Sequence, residues 1–333
     1  MENLLKNISY SVLDLATVLE GHTAADTFKT SLEMAQQSED LGYNRYWFAE
    51  HHNMAGVASS ATAILIGFVA GGTKTIRVGS GGIMLPNHSP LIVAEQFGTL
   101  ASLYPDRIDL GLGRAPGTDQ VTAMAIRGQN IHAAHSFPRD VEQLQKLFSA
   151  DNRSSNVRAI PGEGLDVPIW ILGSSTDSAR LAAAKGLPYA FASHFAPTYF
   201  EQAIEIYRNE FQPSSFLSEP YVMACVNVVA GDTDDEAEVL SNSVKRMFLG
   251  VITGKREKLK PPVQNMNLIW DAMEKDAVEQ MLYYSFIGSA ATIKNNLDAF
   301  VTKYGVNEIM STSHIYDQTA KLHSNKLFAS LFK

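Results

Sequence analysis

Five short clusters of polar residues or glycines follow apolar, strand-like runs in this sequence, and their residue types are suited to chemistry. Histidine and glutamate exchange protons, arginine and serine bind anions, and glycine lets a ligand approach the backbone. Each cluster lies just after a predicted strand, which is where barrel enzymes place their functional residues. The clusters are Glu50-His51-His52, Gly81-Gly82, Gly113-Arg114, Gly173-Ser174-Ser175 with Ser178, and Ser193-His194.

The first cluster has two interpretations. A zinc site is not expected, because the HExxH spacing is absent and adjacent residues cannot all point into one pocket. In the functional interpretation, one histidine is a general base or a hydrogen-bond donor near neutral pH. In the alternative, the pair only caps the core or lies on the surface. The residues alone leave both interpretations open.

The serine cluster is typical of an anion site. Gly173 ends a strand, and the next residues open a helix whose N-terminal N–H groups and hydroxyls attract negative charge. A plain helix cap would use the same residue types. Arg114, at the end of the neighbouring strand, favours the anion site, because its fork of donors suits a phosphate monoester.

The glycines at 79, 81 and 82 turn the chain or bend a strand. Because Gly81-Gly82 is followed by the apolar run Ile83-Met84-Leu85, we expect the strand to continue with a kink. A bulge there would make room for a planar ring.

The elements that must position these clusters alternate between strands and helices. We predict that Asp26 caps the first helix and that Phe137-Pro138 begins the helix ending near Ala150. This order favours a (β/α)8 TIM barrel as one domain over residues 1–333. A doubly wound open sheet is the alternative, although no GxGxxG follows the first strand. The eight predicted strands are residues 8–15, 43–49, 76–78 with its continuation, 107–112, 168–172, 187–192, 221–230 and 306–310.

Three segments have no clear pattern. Residues 118–131 are expected to form a loop or short helix over the barrel mouth, and residues 151–167 a hairpin-like excursion. Residues 250–281 are interpreted as an insertion of uncertain structure that could act as a lid.

Composition excludes several classes of protein. Of the 333 residues, 45% are hydrophobic and 19% charged, with a net charge of −8. No basic cluster offsets that charge, so a nucleic-acid partner is not expected. The longest apolar stretch, residues 61–70, is too short to span a membrane, and the N-terminus does not resemble a signal peptide. We expect a cytoplasmic protein in which the single cysteine, Cys225, is a buried structural thiol.

Several motifs, taken in order, resemble the bacterial luciferase-like, flavin-dependent monooxygenase family over nearly the whole chain. Each motif is weak alone, but their order and spacing together are fairly specific. They are Gly42-Tyr43 through Trp47, Glu50-His51-His52, residues 78–86, residues 110–114, Gly186-Leu187-Pro188, Ile287-Gly288-Ser289 and residues 313–317.

The resemblance implies a (β/α)8 barrel that binds FMN at its C-terminal face, usually as a homodimer. It implies reduced FMN from a separate flavin reductase, O2 and a small-molecule substrate. By position, His51 corresponds to the catalytic histidine with Glu50 beside the flavin. Gly81-Gly82 corresponds to a cis peptide under the ring. The implied phosphate contacts are Arg114 and the cluster after the fifth strand, Gly173, Ser174, Ser175 and Ser178.

One position departs from the family. Gly113 stands where luciferase has a reactive cysteine, and the aldehyde-pocket residues match poorly, which argues against light emission and a long-chain aldehyde substrate. Two alternatives remain open: an oxidoreductase that uses the deazaflavin F420, and a non-catalytic flavin-binding protein.

Overall fold

A ring of eight parallel strands forms the centre of the molecule. The computed structural model describes residues 4–128 and 133–333. The ring runs β1-β2-β3-β4-β5-β6-β7-β9 and closes from β9 onto β1, which confirms the predicted closed barrel and excludes the open sheet. The strands are β1 Ser9–Asp14, β2 Arg45–Phe48, β3 Arg77–Met84, β4 Ile108–Gly113, β5 Ile169–Gly173, β6 Tyr189–Phe191, β7 Val222–Gly231, β8 Ser285–Ser289 and β9 Glu308–Thr312.

A ninth strand, β8, was missed by the sequence prediction. It pairs with Asn227–Gly231 of β7, beyond the residues of β7 that pair with β6. Only Phe286 and Ile287 are large and apolar in its five residues, so no strand-like run marks it. The strand predicted at 306–310 therefore closes the ring but is the ninth in the chain.

Helices follow the strands around the barrel. Thr23 caps the first helix and forms a capping box with Asp26, the third residue of the helix, so the predicted cap at Asp26 was three residues late. The helices are α1 Ala24–Leu41, α2 Thr62–Gly72, α3 Pro90–Leu103, α4 Gln120–Arg127, α5 Ala133–Phe148, α6 Thr176–Lys185, α7 Phe200–Glu210, α8 Asp234–Ile252, α9 Ala272–Met281, α10 Ala290–Tyr304 and α11 Gln318–Ser330.

The segments without a clear pattern are partly helical. The predicted loop or short helix at 118–131 contains α4, and its last residues, 129–131, lie outside the described chain. α5 already includes Ala133, so Pro138 lies inside the helix instead of beginning it. Residues 151–167 contain the end of a 3-10 helix, Ala150–Ser154, and no strand, so the hairpin-like prediction was wrong. Residues 250–281 include the end of α8 and all of α9.

Charged and aromatic side chains fill the barrel interior near the start of the strands. The Arg45 guanidinium lies 2.7 Å from Asp109 and 2.9 Å from Glu308, and both carboxylates are fully buried. Leaving either acid unpaired would be costly, which fixes β2, β4 and β9 relative to one another. Cys225 is buried in the same interior, and burial raises the pKa of its thiol, as a structural role requires.

Within the described residues, no helix combines the length and apolarity needed to cross a bilayer.

Candidate active site at the carboxyl ends of the strands

A cavity of about 1050 Å³ opens where the carboxyl ends of the strands meet. It lies at the upper end of the range for small-molecule sites, roughly 300–1,000 Å³. The ends of five different strands, with the loops and helix that follow them, bring most of the predicted site residues to its wall. These are His51, Gly81, Gly82, Arg114, Gly173, Ser174, Ser175, Ser178 and His194. Glu50 is not among the lining residues.

Arg114 lies at the end of β4 and faces the start of α6. Its side chain is 48% exposed, and its guanidinium is 3.4 Å from Asp177, which is 64% exposed. An ion pair so open to water contributes about 0–1 kcal/mol. A phosphate can therefore compete with Asp177 for the guanidinium at little cost.

The start of α6 has free hydrogen-bonding groups. Ser175 occupies the N-cap position, but its hydroxyl makes no capping bond. In the described part of the chain, the Ser174 hydroxyl likewise has no protein partner. Ser178 differs, because its hydroxyl donates to the Ser175 carbonyl at 2.7 Å and also lies 3.0 Å from the Tyr189 hydroxyl. The plain-cap interpretation of this cluster therefore does not account for Ser175.

Gly173 allows the start of α6 to pack against the end of β5. A Cβ at this position would lie 2.1 Å from Ser178 Oγ, which no side chain can tolerate. The glycine thus brings the N-terminal N–H groups of α6, with their partial positive charge, to the cavity wall.

The Gly81–Gly82 peptide is cis and lies within a bulge of β3. Ser80 pairs with Leu110 and Ile83 with Leu112, so β3 carries one extra residue opposite β4. A Cβ at Gly81 would lie 2.7 Å from Leu13, and one at Gly82 would lie 2.8 Å from the Gly111 carbonyl. The Gly111 backbone thus leaves no room for a side chain at 82, and a side chain at 81 would have to displace Leu13. Bare backbone faces the cavity as a result.

Glu50 lies behind this bulge, away from the cavity. Its backbone N–H donates to the Gly82 carbonyl at 3.2 Å, and its carboxylate accepts from the Met84 N–H at 2.9 Å. The imidazole Nε2 atoms of His52 and His88 lie 2.8 and 2.9 Å from the carboxylate. Burial acts to raise the pKa of this carboxyl, but the hydrogen bonds outweigh burial and hold the pKa below its usual value. Glu50 therefore fixes the bulge as a buried anion.

His51 points into the cavity from the end of β2. Its Nδ1 atom is buried and has no hydrogen-bond partner among the described residues. Removal from water lowers the pKa of the imidazole, against the smaller opposing effects of the Ala49 backbone and the Glu50 charge, and the charge of Arg256 lowers it slightly further. The ring is therefore neutral at pH 7 and able to accept a proton.

Two further buried histidines line the cavity, His194 after β6 and His314 after β9. Burial, with smaller effects from His314 and His51, lowers the pKa of His194 to about 3. Burial also lowers the pKa of His314, to about 4. His194 was expected at the site because it follows a strand, whereas the sequence analysis did not predict that His314 lines the cavity. Its position two residues after β9 follows the same rule and could have identified it.

Met84 fills the space beside Gly113. A Cβ at 113 would lie 2.8 Å from the Met84 sulfur. A larger side chain here would therefore have to displace Met84, which favours glycine at this position.

The fold is that of a (β/α)8-barrel protein, and the cavity at the carboxyl ends of its strands is a candidate small-molecule site. The free donors at the start of α6 and Arg114 fit a phosphate, and the bare backbone at Gly81–Gly82 fits a planar ring. The chain belongs to the luciferase-like monooxygenase family, whose model matches residues 8–308.

Similar proteins cover almost the whole chain. The uncharacterized protein YvbT of Bacillus subtilis is 51% identical over 332 residues, covering 99% of this chain and 98% of YvbT. A luciferase-like monooxygenase of Escherichia coli is 49% identical over 322 residues, covering 97% and 96%. The crystal structure of apo-MsnO8 superposes with a TM-score of 0.91 at 34% identity, covering 98% of each chain.

More distant relatives differ in cofactor and substrate. N-acetyl-S-alkylcysteine monooxygenase of Bacillus subtilis is 32% identical and covers 97% of each chain. Two proteins under 20% identical share the fold. One is the oxygenating constituent of 3,6-diketocamphane monooxygenase, solved with FMN, at a TM-score of 0.74. The other is an F420-dependent secondary alcohol dehydrogenase, at 0.70.

Proposed function

We propose that the protein is an FMN-dependent monooxygenase that takes reduced FMN from a separate flavin reductase and uses O2 on a small organic substrate. The observation that carries the proposal is one shared cavity. Arg114, Ser174, Ser175 and the start of α6 line the same cavity as Gly81–Gly82 and His51. Bound reduced FMN would supply the electrons for oxygen chemistry.

Each site residue has a role in this proposal. Arg114 and the hydroxyls of Ser174 and Ser175 hold the phosphate, with Gly173 and Ser178 shaping the start of α6. The bulge at Gly81–Gly82 supports the ring.

Glu50 acts indirectly, because it fixes that bulge from behind and does not reach the cavity. His51, neutral at pH 7, accepts or returns a proton at the substrate. The segment 250–281 covers the cavity as a lid and excludes water.

Flavin binding tests this proposal directly. The protein is titrated with FMN, followed by flavin fluorescence, and with photoreduced FMN under anaerobic conditions, followed by absorbance. We expect binding of the reduced form and oxygen uptake when a flavin reductase and a suitable substrate are present. No binding by either form contradicts the proposal.

Two other functions give different results. An F420-dependent enzyme, which the fold of a solved neighbour makes a reasonable alternative, would transfer hydride without consuming O2. A flavin-binding protein without catalysis would hold oxidised FMN tightly and show no reductase-coupled oxygen uptake.

The proposal includes a homodimer formed through α2 and α3. Ile64 and Phe68 on α2 are 72% and 45% exposed, and Ile92 and Leu103 on α3 are 47% and 64% exposed. Apolar side chains concentrated on neighbouring helices support an interface. Sedimentation equilibrium should give twice the chain mass for the wild type and a lower mass for Ile64→Asp. A wild-type monomer contradicts the dimer.

A further inference from the structure

A second part of the cavity wall is strongly basic. It comes from the end of α8 and the loop that follows. Six basic and two acidic side chains line the cavity as a whole, in a chain whose net charge is −8. The basic ones are Arg114, Arg246, Lys255, Arg256, Lys258 and Lys260, and the acidic ones are Glu257 and Glu274. Positive charge collected in a cleft raises the local concentration of anions.

Most of these basic groups already have protein partners. Two of them, Lys255 and Arg256, have no hydrogen bond or ion pair among the described residues. The partners of the other four are Asp177 for Arg114, the Pro261 carbonyl for Arg246, the His22 carbonyl for Lys258 and Glu257 for Lys260.

Arg256 lies on a segment that is tied to the barrel. Leu259 donates to the Val18 carbonyl at 2.9 Å, and its own carbonyl accepts from the Glu20 N–H at 2.8 Å. Gly56 lets this segment approach, because a Cβ there would lie 2.5 Å from the Glu257 carbonyl oxygen. These contacts hold the backbone of the segment beside the cavity, and the exposed Arg256 side chain lines the cavity wall. Its charge acts on His51, whose pKa it lowers slightly.

Apolar side chains line the cavity together with this cation. They are Met54, Phe195, Met247, Ile269 and Met281. A ligand matched to this wall would have an anionic group and an apolar body. The phosphate assigned to Arg114 and α6 leaves Lys255 and Arg256 without a role.

We propose that Arg256, assisted by Lys255, binds the carboxylate or sulfonate of the substrate, so that the enzyme acts on small organic acids with an apolar body. This inference rests on the proposed function, since it assigns the second ligand of the same cavity. A guanidinium fork suits a carboxylate because two N–H groups can reach both oxygens.

Matched acids and amides test the inference. The affinities of (benzylthio)acetic acid and N-acetylmethionine are measured against those of their neutral amides by calorimetry, with and without saturating FMN. We expect each binding acid to bind more tightly than its amide, and more weakly as NaCl rises. Arg256→Gln should weaken acid binding about tenfold. Arg256→Lys should restore part of the loss, and FMN affinity should change less than about twofold.

A control and three outcomes decide the inference. Arg139→Gln removes an exposed arginine that does not line the cavity and should leave acid binding unchanged. The inference is overturned if no acid binds better than its amide, or if Arg256→Gln leaves acid binding intact. It is also overturned if Arg256→Gln weakens the binding of FMN instead of the binding of the acids. If the wild type binds the acids but does not bind FMN, the proposed function is contradicted and this acid site is not.

Discussion

Replacing Arg114 with glutamine should weaken FMN binding while leaving riboflavin binding almost unchanged. The guanidinium lies at the cavity wall beside the uncapped start of α6. A charge-assisted hydrogen bond contributes about 1.5–3 kcal/mol. Binding must first release the exposed pair with Asp177, worth about 0–1 kcal/mol. The net loss is about 0.5–3 kcal/mol, which corresponds to a roughly two- to 160-fold higher Kd for FMN.

The assay compares the affinities of two ligands for two proteins in a thermodynamic cycle. FMN and riboflavin differ only in the phosphate, so their affinities for the wild type and Arg114→Gln isolate the contact between guanidinium and phosphate. Quenching of flavin fluorescence gives all four values of Kd. Arg180→Gln serves as the control, because Arg180 also ion-pairs with Asp177 but does not line the cavity.

Two results would refute this reasoning. An equal loss of affinity for FMN and riboflavin would mean that Arg114 only maintains the structure of the site. Unchanged FMN binding in Arg114→Gln would mean that the phosphate lies elsewhere.

Three further perturbations test other parts of the site. His51→Ala should bind FMN within about threefold of the wild type but turn over substrate at least ~100-fold more slowly, because acid–base catalysis contributes about 10²–10⁴-fold. Gly173→Ala should lower Tm and FMN affinity together, since the new methyl group meets Ser178 Oγ at 2.1 Å and overpacking costs about 1–3 kcal/mol. Burial lowers the pKa of His194 from its usual 6.5 to about 3. Its contribution to stability is therefore complete above pH 6.5 and is lost as pH falls toward 3. His194→Asn should make the unfolding free energy, measured by urea titration, less sensitive to acid by about 1.4 kcal/mol per pH unit in this window.

Each of these predictions has an opposing result. If His51→Ala abolished flavin binding, its role would be structural. If Gly173→Ala melted and bound FMN like the wild type, α6 would not depend on close approach at β5. If His194→Asn kept the wild-type dependence on pH, this imidazole would not be held neutral by burial.

The barrel could be predicted from sequence because its signals are local. Strand-like runs, helix caps and glycines at strand ends lie within a few residues of one another. Parallel strands also end on one face, so Arg114 and Ser174 were expected to meet although 60 residues separate them in sequence. The short strand β8 lacked such a signal and was missed.

The rest of the site depends on distant contacts. The sequence did not reveal that Glu50 turns away from the cavity, because its partners His88 and Met84 lie 38 and 34 residues away. Nor did it reveal that Arg256 lines the cavity. The backbone contact between Leu259 and Val18 brings its segment there. Pairings of that range leave no periodic pattern in the chain.

The position of FMN in a flavin-soaked crystal would show directly whether this cavity is the flavin site. We expect a phosphate within hydrogen-bonding distance of Arg114 and the hydroxyls of Ser174 and Ser175, with the ring on Gly81–Gly82. A phosphate bound at Lys255 and Arg256, or a flavin outside this cavity, would contradict it.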